Sequence, residues 1–252
     1  PQMGCGRCGH CRAGRPNLCP IGFLGCDMPG MLSDEVVLPA HLVRKLPPGV
    51  DLEAAAMTDP AAVAVHAARR PGSLEGRSVA VFGAGPIGLL VAQAAKAFGA
   101  SFIYLIDVVA DRLELGRQLG ADAVIRADLQ DPARVVRENF ELGVDVCFEC
   151  SGHPQAALNA IETCREGGDV VLVGIVKGEL PITMVKVQRT ERSLIGCQRS
   201  LLEDFDQALA FIHQGKIQVK PLISRVRPVA DAQAAFEDVV NQRAGVKTIL
   251  AF

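Results

Sequence analysis

From about residue 74 onward, short unbroken apolar runs alternate with stretches of helical length. Ser78–Phe82, Ser101–Ile106, Ala123–Ile125, Val144–Phe148, Val170–Val173 and Ser193–Ile195 read as strands. Between and after them, Pro86–Phe98, Val109–Leu119, Pro132–Phe140, Pro154–Cys164 and Glu203–Gln214 read as helices. Apolar runs without alternation mark strands covered on both faces, so the pattern predicts a doubly wound parallel α/β sheet. Residues 1–33 lack periodicity and are rich in Gly, Cys and Arg, which predicts a loop-built lobe. Next come a strand-like run, Glu35–Pro39, a turn at Leu46–Gly49, and a short helix up to Met57 with Asp51 as its N-cap. Beyond Gly215 the regularity fades, leaving one helix near Ala230–Val240 and a closing strand Val246–Leu250. There is no internal repeat and no low-complexity tract.

Composition narrows the function classes. With 252 residues, 49% of them hydrophobic, the chain is long enough for one or two domains and a sizeable core. The apolar fraction together with the near balance of 26 Lys+Arg against 28 Asp+Glu excludes disorder, and a net charge of -2 offers no general electrostatic attraction to nucleic acid or an anionic membrane. No window reaches the roughly 18 uninterrupted apolar residues of a membrane span, and no signal-peptide pattern opens the chain. The first residue is Pro1, which leads us to expect a processed chain or a piece of a longer protein.

Four of the nine cysteines, Cys5, Cys8, Cys11 and Cys19, fall within 15 residues in the spacing C-x2-C-x2-C-x7-C. Four thiolates separated by small residues can wrap a tetrahedral zinc ion, and a four-ligand protein shell is closed and therefore structural. An iron–sulfur cluster shares the first two spacings and the Cys19-Pro20 pair, but its last gap is x3 rather than x7. A DNA-reading zinc module is disfavoured because no recognition helix follows. His10 is surplus to the shell and is expected to be exposed. The scattered cysteines, Cys26, Cys147, Cys150, Cys164 and Cys197, read as small buried hydrophobes in a reducing, cytoplasmic setting.

The strongest chemical signal is Gly83-x-Gly85-Pro86-x-Gly88, placed between a strand and a helix. The first glycine permits the turn, the second lets backbone approach a pyrophosphate, and the third allows close helix–strand packing. The helix N-terminus then presents free N–H groups to an anion. Asp107 follows 19 residues beyond Gly88 at the end of the next strand, where a carboxylate accepts ribose hydroxyls and repels a 2′-phosphate. NAD rather than NADP is therefore expected. Arg112 could contact the adenine side or simply face solvent. Ser151 in Glu149–Gly152, together with Val173-Gly174-Ile175, sits at strand ends, the side where such sheets bind ligands. Ordinary β-to-α turn chemistry reads these two segments nearly as well.

The four-cysteine loop, the segment from Met57 through Asp59-Pro60 to His66, and the glycine fingerprint together resemble the zinc-dependent medium-chain dehydrogenases. The nearest likeness is the sorbitol (polyol) and threonine dehydrogenase branch, and it runs on through Val219–Ser224, Ala235–Glu237 and Lys247–Leu250. The resemblance implies a Rossmann domain at 62–202, flanked by parts of a β-rich, GroES-like catalytic domain at 1–61 and 203–252. It also implies an enzyme that passes hydride between a secondary alcohol, of polyol or amino-alcohol type, and NAD, with a catalytic zinc polarising the alcohol oxygen. Asp59 matches the acidic position near that zinc, where the branch carries Glu, and would reach the metal directly or through water. A helix cap beside Pro60 is the plainer reading of Asp59. Ile87, Asp107, Arg112, Val173, Gly174, Ile175, Cys197, Gln198 and Arg199 fall where the family contacts NAD, and Arg199 also where it meets substrate hydroxyls. Ser200 replaces the aromatic usual after that arginine. His66 reads as a core or helix-packing residue.

The family's catalytic Cys and His-Glu pair are expected upstream of Pro1, so this chain alone is expected to be inactive. A closed four-thiolate shell cannot stand in for them. A homodimer or homotetramer is also implied. Two other readings remain, a non-catalytic NAD-binding protein with a zinc lobe and a zinc-free reductase of the same fold, the latter disfavoured by the cysteines.

Overall fold

A computed structural model of the chain describes residues 4–22, 30–241 and 245–252. Two compact units emerge, one of residues 67–197 with 216–218, the other of 1–66, 198–215 and 219–252. The leading segment holds helices α1 (Gly9–Arg12), α2 (Leu52–Ala56) and α3 (Thr58–Arg69). Asp51 caps α2, its Oδ1 accepting the Ala54 N–H at 2.9 Å. Helix α3 escapes a periodicity search because Ala61, Ala62, Ala64, Val65, Ala67 and Ala68 are all buried. A helix surrounded by protein has no polar face to mark its 3.6-residue repeat.

Glu35–Pro39 is not a strand, contrary to its composition. Val37 is 98% exposed, and the segment pairs with no strand among the described residues. A lone extended pentapeptide gains neither ladder hydrogen bonds nor apolar burial.

The larger unit follows the predicted alternation closely. Its elements are β1 (Ser78–Phe82), α4 (Pro86–Ala97), β2 (Phe102–Asp107), α5 (Ala110–Gln118), β3 (Ala123–Arg126) and α6 (Pro132–Asn139). β4 (Val144–Glu149), α7 (Pro154–Thr163), β5 (Cys164–Leu172), α8 (Met184–Arg189) and β6 (Ser193–Gly196) complete it. The strand order is β3-β2-β1-β4-β5-β6, with every neighbouring pair parallel. This is the Rossmann order, and its direction of winding reverses between β1 and β4, the place at which sheets of this kind bind ligands.

Alternate residues of the strands serve the two faces. Ala80, Phe82, Tyr104 and Ile106 pack with Val136 of α6 and Ala160 and Ile161 of α7. On the other face Leu105 and Leu89 meet at Gly116, where a Cβ would overlap the Leu105 side chain. All of β1 is buried, as a double-sided strand requires. β5 begins six residues before its apolar run, because Glu166, Gly167 and Gly168 interrupt the hydrophobic signal while a register shift lets the backbone keep pairing.

The other unit adds α9 (Leu202–His213), β7 (Ile223–Pro228), α10 (Ala232–Val240) and β8 (Lys247–Ala251). β7 and β8 pair in parallel, and they are its only strands among the described residues. Among the described residues, the flanking segments expected to belong to a β-rich domain contribute these two strands. His66 and Asp204 are buried together, with Nδ1 to Oδ2 at 2.7 Å, while the same oxygen accepts the Leu201 N–H at the start of α9. No helix among the described residues is long and apolar enough to cross a membrane.

Candidate dinucleotide and zinc sites

The cysteine loop closes on itself. The four sulfurs of Cys5, Cys8, Cys11 and Cys19 lie within 4.8 Å of one another. Cys5 and Cys11 are 4.0 Å apart and Cys8 and Cys19 3.8 Å apart. Tetrahedral zinc with Zn–S bonds of about 2.3 Å requires sulfurs about 3.8 Å apart, so the residues present fit this ion. The backbone of the loop also turns donors toward sulfur. The N–H groups of Cys8, Cys11 and Cys5 point at Cys5, Cys8 and Cys19 respectively. Hydrogen bonds from the Arg7 and Cys8 backbone pull the Cys5 thiol down to about 6. Burial and the Cys8 sulfur push Cys11 up to about 11. Crowded sulfurs resist common ionisation, which is the electrostatic demand a cation meets. His10 is exposed, outside the sulfur cluster.

The second site lies at the carboxyl ends of β1, β2, β4 and β5. Gly83 takes φ +100°, and a Cβ there would come within 2.9 Å of the Ser151 nitrogen. Gly88 packs so closely under the β1 turn that a Cβ would overlap the Gly83 carbonyl. Gly85 behaves differently. It has ordinary backbone, nothing within 4 Å of a would-be Cβ, and precedes α4 without any side-chain cap. Uncapped N–H groups facing open space fit a pyrophosphate. Pro86 occupies the first turn of α4 and Ile87 follows it, half-buried.

Asp107 ends β2 beside this turn. Its Oδ2 accepts the Ala84 N–H at 2.5 Å, and its Oδ1 accepts those of Val108 and Val109 at 2.7 and 2.9 Å. The carboxylate is thus locked against the glycine turn. Arg112 is half-buried in the first turn of α5. Gly152 and Gly174 interlock the β4 and β5 ends, since a Cβ on Gly152 would meet the Ile175 carbonyl oxygen at 2.8 Å. Ser151 and Ile175 are exposed, Val173 and Gly174 half-buried. Fingerprint, Asp107, Ser151 and the Val173–Ile175 turn therefore converge through backbone contacts.

Cys197 lies at the same carboxyl edge, whereas Gln198, Arg199 and Asp59 belong to the other unit. Cys197 leaves β6, its N–H donating to the Leu172 carbonyl at 3.0 Å. Arg199 adopts left-handed backbone, φ +57°, and its Nη1 reaches the carbonyls of Asn17 and Cys19 at 3.4 and 3.5 Å. Buried Asn17 returns a bond to the Gln198 carbonyl at 3.0 Å. Arg199 and Gln198 are thereby tied to the cysteine loop. Asp59 is exposed in the first turn of α3, inside the helix rather than at its cap. Of the scattered cysteines, Cys147 and Cys164 are buried, but Cys150 and Cys197 are only half-buried, because both lie just past the sheet's covered strands. Cys26 lies outside the described residues. Two buried groups were not foreseen as a site or a pair, Glu149 and the His66–Asp204 couple. A charge ending the otherwise apolar run Val144–Phe148 was the available signal for Glu149.

Comparison with known proteins agrees with this geometry. A family model described as zinc-binding dehydrogenase matches residues 86–214. L-idonate 5-dehydrogenase of Vitis vinifera is 37% identical over 246 residues, covering 94% of this chain and 67% of that protein. D-xylulose reductase A of Aspergillus niger is 34% identical over 258 residues, covering 100% and 72%. An Escherichia coli oxidoreductase/dehydrogenase of unknown specificity superposes with TM-score 0.93 at 30% identity, covering all of this chain and 74% of that one. A glycine cradle at the switch point of a Rossmann sheet, a four-sulfur lobe and these relatives together show that the chain belongs to the zinc-binding dehydrogenase family.

Proposed function

We propose that this chain is part of a zinc-dependent oxidoreductase that moves hydride between NAD and a secondary alcohol of the polyol class. The open, uncapped turn at Gly85, with Asp107 locked beside it, is the observation that carries the reading. When bound, NAD supplies the hydride acceptor and zinc the Lewis acid. The chain's own residues bind and orient. The N–H groups opening α4, with Pro86, Ile87 and Gly88 shaping the turn, hold the pyrophosphate. Asp107 turns the remaining lone pair of its Oδ2 to the adenosine ribose, with Arg112 on the adenine side. Ser151, Val173, Gly174 and Ile175 floor the nicotinamide end, and Cys197 adds the β6 side.

Asp59, exposed at the positive end of α3, serves the catalytic metal directly or through water, and Arg199 serves substrate hydroxyls. Cys5, Cys8, Cys11 and Cys19 hold a structural zinc. In this reading residues 62–202 form the cofactor domain, segments 1–61 and 203–252 belong to the catalytic domain, and the protein works in the cytoplasm as a homodimer or homotetramer. The test combines NADH fluorescence titration, zinc content, and NAD reduction with a panel of polyols on the chain and on a version extended upstream. NADH binding, zinc in the lobe and polyol-dependent reduction by the extended version support the proposal. Tight NADH binding with no turnover in either version points instead to a non-catalytic NAD-binding protein.

A further inference from the structure

Glu149 is the one carboxylate buried completely within the sheet unit, and it ends β4, a strand whose other inward positions are apolar. Taking a carboxylate out of water is costly, so an apolar residue would serve the core better. Nothing in the core uses it. All three of its side-chain hydrogen bonds run to the loop immediately after β4. Oε1 accepts the Ser151 N–H at 2.8 Å, the Ser151 hydroxyl at 2.5 Å and the Gly152 N–H at 2.9 Å. Its main-chain carbonyl accepts the N–H groups of Val173 and Gly174, both at 2.8 Å. Oε2 is buried with no hydrogen-bond partner and lies under Gly174, where a Cβ would come within 2.6 Å of it.

Three strand ends thus meet at one residue. Gly83 of the β1 turn abuts Ser151, Gly152 abuts Ile175, and Gly174 abuts both Gly152 and the Glu149 carboxylate. Each contact admits no Cβ, so the relative placement of these turns depends on the Ser151–Gly152 backbone staying where Oε1 holds it.

We infer that Glu149 is a positioning residue for the dinucleotide. It clamps the β4 turn so that the β1, β4 and β5 ends form one platform for the cofactor. The inference rests on the dinucleotide reading above. Its test is NADH binding followed by fluorescence on the wild-type chain and on Glu149→Ala, Glu149→Gln and Glu149→Asp. Urea unfolding and zinc content are measured on each as checks on the fold.

Glu149→Ala is expected to bind NADH about 30-fold more weakly, with cooperative unfolding and full zinc content. Glu149→Gln keeps an acceptor oxygen for the same three donors and should stay within about 5-fold of wild type. If Glu149→Ala does not fold, Glu149→Asp decides. It keeps the charge but withdraws the oxygens by one methylene, so binding about 10-fold weaker supports the clamp and unchanged binding overturns it. A folded Glu149→Ala with wild-type affinity, or a Glu149→Gln as impaired as Glu149→Ala, overturns the role of Oε1. Wild-type chain that binds no NADH overturns the dinucleotide reading itself, a different failure.

Discussion

Two glycines of one motif should fail for different physical reasons when replaced by alanine. At Gly88, a Cβ would overlap the Gly83 carbonyl oxygen and stand 2.9 Å from the carbonyl carbon. Carbon–carbon contacts are comfortable at about 3.5–4.0 Å, so α4 must retreat by roughly 1 Å. It cannot do so freely, because Gly88 through Ala95 are all buried. Overpacking of this kind costs about 1–3 kcal/mol, and the displaced helix end also misplaces the N–H groups that the proposed function assigns to the pyrophosphate. An error near 1 Å in such an array weakens its function by about 100-fold. At Gly85 the backbone is ordinary and the space in front is empty. Gly85→Ala should therefore leave stability within about 0.5 kcal/mol of wild type while still weakening NADH binding, because its methyl group occupies the space assigned to the pyrophosphate in the proposed function. Urea denaturation and NADH fluorescence titration separate the two effects. A Gly88→Ala protein as stable as wild type, or a Gly85→Ala protein that binds NADH as well as wild type, would refute the steric reasoning.

Other outcomes follow from the same geometry. Cys8→Ser opens the sulfur shell and should abolish zinc in the lobe, measured by metal analysis, with a loss of several kcal/mol in chemical unfolding, up to about 10. In the proposed dinucleotide site, Asp107→Asn removes the carboxylate assigned to the ribose and should raise the NADPH-to-NADH affinity ratio by about 10-fold or more in competition binding. Burial pushes the Asp145 carboxyl up, but the Arg165 guanidinium and the N–H and hydroxyl of Ser78 outweigh it and hold it below its ordinary value. The stability this contributes is complete above the unfolded carboxyl value of about 4 and is lost as pH falls through the lower folded value. Arg165→Met should therefore flatten the acid limb of a stability–pH profile and leave the profile's neutral region parallel to wild type.

Much of this protein is written locally. Strands covered on both faces announce themselves as apolar runs, so β1, β2 and β4 appear at nearly their true bounds. Gly83, Gly85 and Gly88 could be assigned roles from spacing alone because each role follows from lacking a Cβ. The four cysteines are close enough in sequence for their loop to bring the sulfurs together by itself.

What the tertiary structure decided are properties that depend on neighbours distant in sequence. The run Glu35–Pro39 has strand composition but no partner, whereas β7 has few apolar residues and pairs with β8. Helix α3 is hidden because its alanines and valines are buried around most of its circumference, which blurs the 3.6-residue repeat. Arg199 turns to the carbonyls of Asn17 and Cys19, and His66 meets Asp204, across separations of more than 130 residues. Glu149 reads in the sequence as one acidic residue at a strand end. Its Oε1 bonds to Ser151 and Gly152 are local, but only the folded sheet brings the β1 and β5 turns against the loop they hold. A backbone can state its own periodicity, but a side chain's partner is set by which strands the sheet places side by side.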